Sequence, residues 1–168
     1  VLADCTGAVT GIVDATFLTA QRTAAGSAVA TSLLRKTKAP TPPTAIVVFG
    51  AGLQGAAHLA ALRDLHATID DVVVVNRSAP RAEALLAGLD GKAGLRRAIF
   101  VPSADRAAVA AAVARADIVV TATNASAPLF DGAALKAGAH IIAVGGYTAA
   151  MRELDAACVA RCAIVVHE

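Results

Sequence analysis

The chain contains no tryptophan and one tyrosine, and aromatic residues make up only 3% of its 168 positions against 57% hydrophobic ones. A core without large rings has to be built from Ala, Val, Leu and Ile, which suits helices packed closely on a buried parallel sheet. Excess charge is also missing. The formal net charge is +2, too small and too scattered for a nucleic-acid or membrane surface. No apolar run reaches the ~18 residues that a membrane span requires, and no segment reads as a secretory leader. Cysteine is scarce and odd in number, with Cys5, Cys158 and Cys162. That argues against a disulfide framework and for a reducing, cytoplasmic setting. Cys158 and Cys162 would share a helix face as small buried side chains, and no further ligands at suitable spacing turn them into a metal site.

What the chain does have is alternation. Two short strands are expected at 1–5 and 9–14, then a helix over 17–36 rich in Ala, Gly and Ser. Lys38-Ala39-Pro40-Thr41-Pro42-Pro43 reads as a stiff proline linker. It divides the chain into residues 1–36, a linker at 37–43 and a unit at 44–168. Beyond it, strands are expected near 45–49, 72–76, 98–101, 117–121, 140–144 and 163–167. Helices fall near 53–66, 79–89, 104–115 and 152–160, with a short helical turn at 131–136. This β-α alternation predicts an α/β fold, a doubly wound parallel sheet of six strands with helices on both faces.

The first strand of that unit runs into Gly50-Ala51-Gly52-Leu53-Gln54-Gly55, a G-x-G-x-x-G turn that opens a helix. Gly50 permits the tight turn, Gly52 lets the backbone approach a pyrophosphate, and Gly55 lets the helix pack on the sheet. The N–H groups of Gly52, Leu53 and Gln54 start the helix, whose dipole favours phosphate. Alone this motif is weak. Here it follows a strand, and the next strand ends 21 residues beyond Gly55 in Asn76-Arg77-Ser78.

An acidic residue at that tip would hold the ribose hydroxyls of NAD. Asn76 can bond the ribose without charge, Arg77 offers a planar fork to a 2′-phosphate, and Ser78 can add a hydroxyl and cap the next helix. Arg81 lies one helical turn on. The tip therefore points to NADP(H). Thr121, Thr123 and Asn124 follow the fourth strand at the carboxyl edge of the sheet, and Val144, Gly145 and Gly146 follow the fifth. They would flank the ribose and nicotinamide, although the paired glycines also suit a plain turn.

The segment Thr19-Ala20-Gln21-Arg22-Thr23-Ala24-Ala25-Gly26-Ser27-Ala28-Val29-Ala30-Thr31 resembles the T-A-x-R-T-A-A-x-S-A-x-A-T stretch of the ornithine cyclodeaminase/mu-crystallin family. Gly50-Ala51-Gly52-Leu53-Gln54 with His58 resembles that family's G-A-G-x-Q…H turn, and Arg152-Glu153-Leu154-Asp155 its R-E-L-D helix start. The resemblance implies that residues 1–36 are the end of a substrate and dimerisation domain and 44–168 a Rossmann cofactor domain. By this resemblance the chain reads as the middle of a longer, homodimeric protein and would not turn over substrate alone. Arg22 would hold a substrate carboxylate. The family's substrate lysine would lie upstream, and Lys36, Lys38, Lys92 and Lys136 do not replace it.

One departure is informative. The family's cyclodeaminases carry an aspartate after the paired glycines, where this chain has Tyr147. A phenol cannot serve as a carboxylate base near neutrality. With the NADP-type strand tip, that departure points to the ketimine-reductase side of the family. The expected activity is NADP(H)-dependent reduction of a cyclic imino acid, such as pyrroline- or piperideine-2-carboxylate. The acid and base groups of that reaction lie outside these residues.

Two other readings stay open within the family: NADPH-dependent binding of a small ligand without turnover, as for thyroid hormone, and ornithine-type deamination. The Asn-Arg-Ser tip also resembles shikimate-dehydrogenase and glutamyl-tRNA-reductase domains, against which the Arg22 segment argues.

Overall fold

The computed structural model describes residues 2–38, 41–89 and 94–163. The chain opens with a small antiparallel pair, β1 (Leu2–Ala3) and β2 (Val9–Gly11). Both strands are shorter than expected. Asp4 accepts the Thr6 and Ala8 N–H groups, so the chain turns immediately after Ala3. Helix α1 (Thr16–Lys38) begins where Asp14 accepts the Thr16 N–H and hydroxyl, and it runs two residues beyond the expected end. Residues 39 and 40 of the expected linker lie outside the described residues.

The remainder alternates: β3 (Ala45–Phe49), α2 (Leu53–Leu65), β4 (Asp71–Asn76), α3 (Ala79–Ala87), β5 (Arg97–Pro102), α4 (Arg106–Arg115), β6 (Ile118–Thr121), a 3₁₀ turn (Gly132–Ala134), β7 (His140–Ala143) and α5 (Ala156–Ala160). The strands form one parallel sheet in the order β5-β4-β3-β6-β7. The chain winds outward from β3 through β4 to β5, then returns to the other side of β3 for β6 and β7. The expected strand at 163–167 falls almost wholly outside the described residues, and Ala163, the one described position, is not in a strand.

Strand periodicity divides the core in two. Ile46, Val48, Val72, Val74, Ile118 and Val120 face Leu59, Leu62 and Ala82 of α2 and α3. Val47, Phe49, Val73, Val75 and Val119 face Val109, Ala112 and Val113 of α4, with Phe130 and Cys158 beside them. Phe130 stacks on Phe49 at a centroid distance of 5.3 Å. Cys162, expected in the core with Cys158, is exposed beyond the end of α5.

Helix α5 starts four residues later than expected. Asp155 is its N-cap, accepting the Cys158 N–H, and its other oxygen accepts the Gly132 N–H. Two bonds in different directions fix Asp155 outside the helix, which leaves Arg152, Glu153 and Leu154 in the connecting chain. The amino edge of the sheet is tied by Asp117, whose carboxylate accepts the Thr44 and Ala45 N–H groups and pairs with Lys136 at 2.7 Å.

Candidate functional site

The strand order reverses between β3 and β6, and at this carboxyl edge the chain packs closely on itself. Gly50 has φ +99°, and a Cβ on it would lie 2.4 Å from the Ala122 carbonyl oxygen. A Cβ on Gly55 would meet the Gly50 carbonyl oxygen at 2.0 Å, and one on Gly145 the Thr123 carbonyl oxygen at 1.9 Å. These three glycines are required by the protein's own packing. Gly52 differs. It is exposed, its φ is −90°, and a Cβ there would meet nothing within 4 Å. Among the described residues, no contact gives Gly52 a reason to be glycine.

Gly52 opens onto a cleft of about 710 Å³ along the carboxyl edge of the sheet, within the range of about 300–1,000 Å³ usual for small-molecule sites. The glycine turn contributes Gly50, Ala51, Gly52 and Gln54, the tip of β4 contributes Asn76 and Arg77, and α3 contributes Arg81. Thr123 and Asn124 come from the chain after β6, and Val144 and Gly145 from the chain after β7. The sequence reading missed Ser103, Arg106, Ser126 and Leu129 on the same wall, while Tyr147, in the place of the cyclodeaminase aspartate, stands at its edge. Among the residues that line the cleft there is no aspartate, glutamate, histidine or lysine. The guanidiniums of Arg77, Arg81 and Arg106 are its only charges, so the cleft favours an anion.

Several expected residues do not line the cleft. Gly55 is buried under the turn, and Leu53 and Gly146 do not line the cleft. Thr121 is fully buried, and its hydroxyl donates to Glu153 at 2.8 Å. Ser78 stands at the N-cap of α3 but makes no capping bond. Pro80 occupies the second helical position and has no N–H to give, which removes a usual donor to such a cap. Asn76 braces the turn: its amide nitrogen donates to the Ser78 carbonyl at 2.9 Å, and its amide oxygen accepts the Ala51 N–H at 3.4 Å.

A family model for the ornithine cyclodeaminase/mu-crystallin family matches residues 1–168. The chain belongs to this family. It is 36% identical over 163 residues to a Δ1-pyrroline-2-carboxylate reductase of Paracoccus denitrificans, covering 95% of this chain and 47% of that protein. It is 32% identical over 160 residues to a ketimine reductase mu-crystallin of Macropus fuliginosus, covering 95% and 46%. The chain thus spans about half the length of these relatives. Among solved structures it resembles Thermococcus litoralis Δ1-pyrroline-2-carboxylate reductase in complex with NADH and L-proline. The TM-score there is 0.77 at 31% identity, covering 94% of this chain and 46% of that one.

In this member of the family the motif residues separate into distinct jobs. Ala20 and Ala24 of α1 pack on Ala57 of α2, and Ser27, Thr31 and Arg35 continue the same face at helical spacing. His58 is fully buried on α2 beneath the turn. Its Nδ1 lies 2.8 Å from the Gln54 carbonyl oxygen and its Nε2 lies 3.0 Å from the Ser27 hydroxyl. A carbonyl can only accept, so Nδ1 carries the proton and Nε2 accepts from Ser27. Burial pushes the His58 pKa down, the Gln54 carbonyl opposing it only in part, which keeps the ring neutral. Arg22 is two residues from both Ala20 and Ala24, on the opposite side of α1. It is exposed and does not line the cleft. Leu18, Val29 and Leu33 share that outward side and are also exposed.

A second hollow of about 340 Å³ lies near the amino edge of the sheet, with Arg35, Lys136, His140 and Arg161 on its walls. Its cations are engaged by the protein. Arg35 donates to the Asp117 and Thr41 carbonyls, Lys136 to Asp117 and to the Arg115 carbonyl, and Arg161 to three carbonyls around the 3₁₀ turn. This is structural cross-bracing.

Proposed function

We propose that the protein is an NADP(H)-dependent reductase of cyclic ketimines, imino acids of the pyrroline- or piperideine-2-carboxylate class. The observation that carries the reading is the anion-favouring end of the cleft. Arg77 and Arg81 stand at the β4 tip, both exposed, with no acidic side chain on the wall. The donor set fits the cofactor. The open face of Gly52 admits a pyrophosphate against the first N–H groups of α2, and Arg77 and Arg81 hold the 2′-phosphate. Thr123, Asn124, Val144 and Gly145 flank the nicotinamide end. When bound, NADPH supplies the hydride for the imine carbon. Arg22 is assigned the substrate carboxylate on the family motif in which it stands, from the outward face of α1.

The cleft wall offers no carboxylate or imidazole as a proton donor. A ketimine nitrogen is readily protonated, so reduction asks less of the protein than deamination does. The same bare wall, with Tyr147 where deaminating relatives carry aspartate, supports one further reading: a protein that binds NADPH and a small ligand without turnover.

Titration with NADPH and NADH, followed by an assay with cyclic imines, decides between them. Two charge-assisted bonds of about 1.5–3 kcal/mol each predict a preference of about a hundredfold or more for NADPH. Arg77→Ala removes about tenfold or more of it. Arg22→Met raises the KM for the imino acid and leaves NADPH affinity unchanged. Equal affinity for the two dinucleotides sinks the NADP assignment. Tight NADPH binding with no consumption across the imines by the full-length protein favours the binder.

A further inference from the structure

Glu153 is 4% exposed and carries an arrangement of bonds found at no other carboxylate among the described residues. One oxygen accepts the Thr123 N–H at 2.7 Å and the Thr123 hydroxyl at 2.6 Å. The other accepts the Thr121 hydroxyl at 2.8 Å and the Gly145 N–H at 2.8 Å. Among the described residues no cation pairs with it. Its charge is held by four donors instead, from the last residue of β6 and from the segments that follow β6 and β7. Those segments present Thr123, Asn124, Val144 and Gly145 to the cleft. Glu153 itself does not line the cleft. It also fixes its neighbour's identity, since a Cβ on Gly145 would lie 2.5 Å from the carboxylate.

We propose that Glu153 is the positioning residue of the nicotinamide end of the site, latching the two carboxyl-edge segments to each other so that they receive the reactive ring together. This rests on the dinucleotide reading above. The arrangement demands a carboxylate. Each oxygen takes one backbone N–H, Thr123 on one side and Gly145 on the other. A glutamine has one acceptor oxygen, so its NH₂ must confront one of those N–H groups, of which the Gly145 N–H also has the Thr121 carbonyl at 3.3 Å. Threonine hydroxyls can rotate to accept, but backbone N–H groups cannot. Glu153→Gln therefore releases one segment or the other. The β4 tip, with Arg77 and Arg81, is untouched by this latch.

The test uses the intact protein and two probes: NADPH, which spans the whole cleft, and adenosine 2′,5′-bisphosphate, which reaches only the β4 end. In Glu153→Gln, NADPH affinity and kcat with a cyclic imine should each fall about tenfold or more. Affinity for the bisphosphate should stay within about twofold, as expected for an independent site. Loss of both affinities together, or of neither, overturns the positioning role.

Thr121 gives the second arm and keeps the proposal decidable if Glu153→Gln does not fold. Thr121→Val removes one donor to the latch and should show the same split, whereas Thr121→Ser restores NADPH affinity. Equal behaviour of Val and Ser overturns the role. Wild-type protein that binds neither probe overturns the dinucleotide reading, and the latch with it.

Discussion

Gly52 separates the demands of the fold from those of the ligand. A methyl group there meets nothing in the protein, and the backbone is already in a region that any residue adopts. Gly52→Ala should therefore leave thermal stability unchanged or raise it by about 0.4–1 kcal/mol, through a less flexible unfolded chain. On the proposed reading it should still weaken NADPH binding, because the methyl group would project where that reading places the pyrophosphate. Gly50→Ala should do the reverse, costing stability outright against the Ala122 carbonyl. Thermal melts with and without NADPH read both effects, and a Gly52→Ala protein that binds NADPH normally would remove the phosphate from that turn. At this scale the glycine motif was legible because it sits between a strand and a helix. Glu153 was not. In sequence it is a charged residue between Arg152 and Leu154, and its fate depends on donors 8 to 32 residues away. The one clue was its place in the Arg152-Glu153-Leu154-Asp155 motif, which says nothing of its partners.

Helix α1 inverts the usual amphipathic arrangement. Its inner face is Ala20, Ala24, Ser27, Thr31 and Arg35, while Leu18, Val29 and Leu33 face outward. Small side chains let α1 lie close to α2, and the bond from Ser27 to His58 fastens the two below the glycine turn. Removing the Ser27 hydroxyl leaves a buried imidazole acceptor without a partner. Ser27→Ala should cost about 1–3 kcal/mol in a denaturant titration, and an unchanged midpoint would show that the bond contributes nothing. Apolar periodicity locates the helix but would turn the wrong face inward, because the buried seam is chosen by size and not by hydropathy. The late start of α5 has a similar origin. The helix was legible in Asp155 through Ala160, but the outward bond of Asp155 to Gly132 is tertiary, and no local pattern announces it.

For the molecule as a whole, the histidines make stability depend on pH. Burial pushes the pKa of His140 down from 6.5 to about 4, helped by the nearby positive charge of Arg35 and by His66. Burial also lowers His66 and His58. The unfolded chain takes up protons at these rings near 6.5 and the folded chain does not, so stability falls as pH drops through that value and goes on falling toward about 4. Asp117 acts in a lower window. Burial pushes its pKa up, but the Lys136 ammonium and the Thr44 and Ala45 N–H groups outweigh it, so its contribution is lost only below 3.8. Urea midpoints should be lower at pH 5 than at pH 7, and His140→Gln should shrink the difference. A midpoint independent of pH over that range would contradict the burial of these rings. The parallel sheet was legible at this scale from β-α alternation. Its order was implied by the glycine turn, which belongs at the strand where the winding reverses.

The scarcity of aromatic residues has a practical meaning. With no tryptophan, and with its single tyrosine 77% exposed at the edge of the cleft, this chain has one natural ultraviolet emitter apart from its weakly emitting phenylalanines, and that emitter stands at the proposed site. Reduced nicotinamide absorbs where tyrosine emits. Occupation of the cleft would dim Tyr147 by energy transfer, while a ligand confined to the adenine end lacks the absorbing ring and would leave it bright. The two ends of the site can thus be told apart optically in this chain without any label.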